Sequence, residues 1–68
     1  MNDETFNLSL RKFLKMVGVN SQREIEQAVA QGLSEKKIAG NERFTARMTL
    51  EIPALNLKVD FSDEIKLE

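Results

Sequence analysis

The sequence predicts an α+β fold: a two-helix corner followed by a small antiparallel β-sheet, in the order α-α-β-β with a possible third short strand. Three observations predict it. Apolar residues recur at helical spacing on both sides of residues 18–20. The joint itself, "VGVNSQRE", combines a glycine with a Ser-x-x-Glu signature. From Phe44 onward the period shortens from 3.6 residues to 2.

The first helix is expected over about residues 4–17. Asp3 and Thr5 are good N-cap types, and Asp3 and Glu4 suit the positive end of a helix dipole. Phe6, Leu10, Phe13, Leu14 and Val17 then share one face. Leu8 and Met16 lie off that stripe, which makes them a candidate interaction surface. Arg11, Lys12 and Lys15 take the outer side.

Gly18 is placed to close that helix in the left-handed conformation. Leu14 and Val19 would then make the apolar contact of a Schellman cap. Ser21 and Glu24 form a capping box that would open a second helix over about 21–33. Gly18, Ser21 and Glu24 are thus the expected structural caps. Ile25, Ala28, Val29, Gly32 and Leu33 supply the apolar face of the second helix.

Residues 34–43 read as a polar connector anchored by Ile38. Phe44, Ala46, Met48, Leu50 and Ile52 alternate with polar residues and predict a half-buried strand over 44–52. Pro53 cannot donate to a ladder and marks a break. A second strand is expected over about 55–60. "FSDE" (61–64) is a turn candidate, leaving a possible third strand over 64–67.

Composition narrows the function. Sixty-eight residues make one domain at most, and a chain this short buries only about 60% of its unfolded surface. Hydrophobic residues are 41% and charged residues 31%, which is globular rather than disordered. There is no Cys and no His, which removes disulfides, thiolate zinc sites and the commonest general base. The three glycines are far apart and form no phosphate cradle. No catalytic residue, metal ligand or cofactor site is assigned, and an enzyme is not expected. Asp60, Asp63 and Glu64 could offer oxygen ligands, but they lack the spacing and central glycine of a calcium loop. The acidic N-terminus has no signal-peptide architecture and no apolar run could span a bilayer, so a cytoplasmic protein is expected.

Two functions remain. The first is a protein-interaction or accessory module, with a homodimer as its simplest form. The second is a nucleic-acid binder that uses the corner over residues 5–33 as a helix-turn-helix. Arg11, Lys12, Lys15, Gln22, Arg23 and Gln27 would form its surface. A net charge of −1 and the carboxylates Glu24 and Glu26 on the second helix count against the second reading. No aromatic is left over for base stacking, since the four Phe residues all sit on core stripes.

The segments "RKFLK", "SQREIE" and "ARMTL", with the closing "EIKLE", resemble a family of very short bacterial proteins whose function is unknown. The resemblance extends over nearly the whole chain. It implies a stand-alone cytoplasmic bacterial protein and brings no activity, cofactor or site residue with it.

Overall fold

The computed structural model describes all of residues 1–68 and divides into two compact units, Met1–Glu35 and Lys36–Glu68. The first unit is a single helix, α1 (Asp3–Ser34). The second is a hairpin of β1 (Arg43–Ile52) and β2 (Leu57–Lys66), joined through a short 3-10 turn at Pro53–Leu55.

The α+β class holds, but the two-helix corner is absent. The N-cap of helix α1 lies one residue before Asp3 and three before Thr5, the two expected caps. Asn2 is its N-cap, and the Asn2 side-chain oxygen accepts the Thr5 N–H at 3.0 Å. The helix then runs unbroken through Gly18, Val19, Asn20 and Ser21. Gly18 is not a C-cap, and Ser21 and Glu24 lie in the helix interior rather than in a capping box.

The physical reason is one of scale and phase. An interior glycine costs only about 1 kcal/mol relative to alanine, and a lost capping box costs a similar amount. Against that, Val17, Ser21 and Ile25 are spaced by fours. An unbroken helix therefore carries the stripe of the first half directly into that of the second. The series Phe6, Leu10, Phe13, Val17, Ser21, Ile25, Ala28 and Gly32 is close to an 11-residue repeat, so the stripe winds slowly around the helix without a break. At 1.5 Å per residue the 32-residue helix is about 48 Å long. It ends at Glu35, whose N–H reaches the Gln31 carbonyl at 2.9 Å, and Lys36 follows with φ of 59°. That left-handed residue does what Gly18 was expected to do.

The hairpin is antiparallel, with Ile52 opposite Leu57 at the turn and Arg43 opposite Lys66 at the open end. Pro53 occupies the first position of the 3-10 turn, where its missing N–H is no loss. Asn56 adopts the left-handed conformation (φ 53°, ψ 33°) and donates its N–H to the Pro53 carbonyl at 3.1 Å. Asparagine is one of the few side chains that tolerate this region.

The expected turn at residues 61–64 and the separate third strand do not form; β2 runs straight through both. Phe61, Asp63 and Ile65 keep the alternation, opposite Met48, Ala46 and Phe44. Apolar pairs on either side hold the ladder in register, and these outweigh the local turn preference of Ser62 and Asp63.

Candidate functional site

The hairpin segregates its side chains at every position but one. One face carries Phe44, Ala46, Met48, Leu50 and Ile52 from β1, opposite Ile65, Asp63, Phe61, Val59 and Leu57 from β2. Nine of these ten residues are apolar, and Asp63 is the exception. The other face is polar throughout. Thr49 donates its hydroxyl to the Asp60 carboxylate at 2.6 Å, and the Arg43 guanidinium lies 3.8 Å from the Glu64 carboxylate.

No residue of the chain is fully buried. Phe61 is 59% exposed in the centre of the apolar face, and Met48 beside it is 44% exposed. On α1, Val17, Ser21, Val29 and Gly32 are half-buried, while Phe6, Leu10, Phe13 and Leu14 are exposed. Leu8 and Met16 are exposed too, at 65% and 53%. Successive residues turn by about 100° around the axis, so Leu8 lies on the side opposite Phe6, Phe13 and Val17, whereas Met16 lies on the flank between that side and Phe13.

The basic residues of the alternative surface share that side. Arg11, Lys12, Lys15 and Arg23 fall within roughly a third of the helix circumference, but Glu26 falls within the same arc. Gln22 and Gln27 are exposed, and the Gln22 amide makes a long hydrogen bond, 3.5 Å, to the Glu26 carboxylate. Lys36 and Lys37 belong to the other unit.

The carboxylates considered for a metal do not converge. Alternation along β2 puts Asp60 and Glu64 on the polar face and Asp63 on the opposite one. No group of three or more His, Cys, Asp or Glu side chains is placed to hold a metal ion. No helix is long and apolar enough to cross a membrane.

Sequence reasoning missed one polar cluster. The Glu42 carboxylate accepts the N–H groups of Ala39 (2.7 Å), Gly40 (2.9 Å) and Asn41 (3.2 Å). Three consecutive amides gathered on one anion form a small backbone nest. The Ala39 and Gly40 amides are the main reason that the carboxyl titrates below its ordinary range, against the opposing effect of desolvation. Gly40 makes the wrap possible with φ of 105°, a conformation that L side chains rarely adopt. The signal was present as "GNE", a glycine two residues before an acid. The Glu42 carbonyl also accepts the Leu67 N–H at 3.1 Å, so one residue fastens both the connector and the open end of the hairpin.

The fold and its surfaces define a small α+β chain of one long helix and one amphipathic hairpin. A model of a family of unknown function, DUF6494, matches residues 1–68, and the chain belongs to that family. No curated protein and no solved structure matches it.

Proposed function

We propose that this chain is a non-enzymatic protein-interaction module that works as a homo-oligomer, in its simplest form a homodimer. The observation that carries this reading is the apolar face of the hairpin, nine residues in a chain that buries none. A two-stranded hairpin is marginally stable at best in water and needs a helix or further strands against its apolar face. A lone helix is marginal for a similar reason. Exposed apolar surface of this extent marks an association site in a folded protein. A cytoplasmic location suits this reading.

The absence of histidine and cysteine supports a binding role over a catalytic one. The nucleic-acid alternative has lost its premise, because the recognition corner over residues 5–33 is one continuous helix. Four basic residues on one side of a helix give few phosphate contacts, and Glu26 sits among them. Titration of mixed-sequence duplex at two salt concentrations is expected to show no submicromolar binding. Tight binding with a steep salt dependence would reverse the choice.

Sedimentation equilibrium from micromolar to near-millimolar concentration tests the main reading. A reversible dimer or higher oligomer is expected; a monomer throughout the range refutes it.

A further inference from the structure

The hairpin has two outer strand edges, and they differ. In an antiparallel ladder both backbone groups of a residue point the same way, and alternate residues point to opposite sides. The Leu67 N–H bonds the Glu42 carbonyl, so the even-numbered residues of β1 address β2. The N–H and C=O groups of Arg43, Thr45, Arg47, Thr49 and Glu51 therefore line the outer edge of β1. By the same register Lys58, Asp60, Ser62, Glu64 and Lys66 line the outer edge of β2.

The β2 edge is guarded. Four of its five outward residues are charged, and the Glu64 N–H is already taken by the Asp63 carboxylate at 2.7 Å. If two β2 edges met across Ser62, Lys58 would face Lys66 and Asp60 would face Glu64 of the second copy. In that register, which overlaps all five outward residues, like charges are directly opposed, and only shorter overlaps avoid it. The β1 edge carries three charges among its five outward residues, and one register matches the two nearest its centre. If two β1 edges meet antiparallel across Thr49, each Arg47 faces the Glu51 of the other copy. On the opposite side of the sheet, Met48 then faces Leu50 and Ala46 faces Ile52. Both charges are matched, and both apolar faces fall on one side.

We infer that the β1 edge is the self-association surface, with a second copy of this chain as its occupant, paired antiparallel about Thr49. The product is a four-stranded sheet in the order β2-β1-β1-β2 with one continuous apolar face and a charged β2 at each margin. Capping both margins with the guarded strand stops growth at two copies, which fits a closed two-fold dimer. This inference rests on the self-association proposed above and adds the element, the partner and the register.

Charge reversal in two separate chains tests it. Arg47→Glu alone places carboxylate against carboxylate across the two-fold, and Glu51→Arg alone places guanidinium against guanidinium. Each is expected to associate roughly tenfold more weakly than the parent chain. An equimolar mixture of the two is expected to recover a heterodimer. The carboxylate introduced at position 47 of one chain then meets the guanidinium introduced at position 51 of the other, and the native Glu51 of the first meets the native Arg47 of the second. Recovery on mixing also shows that neither variant had simply failed to fold. A chain with Thr49→Cys, in a protein that otherwise has no cysteine, should cross-link to itself under mild oxidation, whereas Ser62→Cys on the β2 edge should not. Single variants that associate as well as the parent, a mixture that stays monomeric, or cross-linking through position 62 instead of 49 would each overturn the β1 edge while leaving self-association standing. A dimer dispersed by Leu8→Glu or Met16→Glu but indifferent to both charge reversals would move the surface to the helix. A parent chain that never associates would remove both readings.

Discussion

The helix and the hairpin solve the same problem in different ways. Each is amphipathic, and neither encloses a side chain. Helix α1 closes its hydrogen bonds within one segment and tolerates Gly18, Asn20 and Ser21 in its middle. Its apolar stripe is interrupted by small and polar residues. The hairpin closes its ladder between two segments and sorts apolar from polar residues at almost every position. The comparison teaches where sequence information is dense. A helix needs only an average periodicity, whereas a strand pair needs each residue on its correct face, since a slip of one residue inverts them all.

Matched substitutions give the largest expected effect. Leu50→Asp puts a carboxylate in the middle of the hairpin's apolar face and should cost about 2–4 kcal/mol of stability. Val17→Asp, at the half-buried centre of the helix stripe, should cost about half as much, because the helical hydrogen bonds do not depend on a partner strand. Urea unfolding followed by circular dichroism compares them. Equal costs would break the contrast between the two units.

Next in size is the turn. Asn56→Ala should destabilise by about 1–2 kcal/mol, since alanine is strained in the left-handed region, whereas Asn56→Gly should be close to neutral. Gly18→Ala should act in the other direction. A methyl group built on Gly18 meets no atom within 4 Å, and alanine in a helix interior is favoured by about 1 kcal/mol. The corner expected from the sequence required the opposite sign, so thermal unfolding of this variant discriminates directly between a corner and a continuous helix. A loss of stability would argue for a close neighbour at Gly18.

The smallest effect concerns pH. Because the folded state depresses the Glu42 carboxyl, its contribution is fully present above the ordinary carboxylate range and is lost as pH falls through the depressed value. Amide resonances of Ala39, Gly40 and Asn41 should shift together in that acid range. Glu42→Gln should abolish the step at all three.

Legibility follows the same division. The period-2 run from Phe44 to Ile52 locates β1 almost to the residue, and Leu57, Val59 and Phe61 locate the first half of β2. The second half is hidden because "FSDE" has turn chemistry, and only the partner strand overrides it. Helix α1 reads as two because Gly18 and Ser21 are strong local punctuation. What argues against a break is the unbroken spacing by fours through Val17, Ser21 and Ile25, which is visible only when both halves are placed on one helical wheel. The β1 edge cannot be assigned from the sequence, because which residues turn their backbone outward depends on the register with β2.

The four-residue connection between Ile52 and Leu57 has a consequence for how quickly the molecule forms. Such a link brings the first strand pair together at little loop-closure cost, and the ladder then zips outward from the turn. Hairpins of this kind form in about 1–10 μs, and a helix relaxes in about 0.1–1 μs. Neither unit contains a long-range crossover that would slow it. Both can therefore form and re-form many times before two chains collide, and under the self-association proposed above the slow phase of refolding is bimolecular. Its rate should rise in proportion to protein concentration, unlike the concentration-independent refolding of a chain that closes on itself.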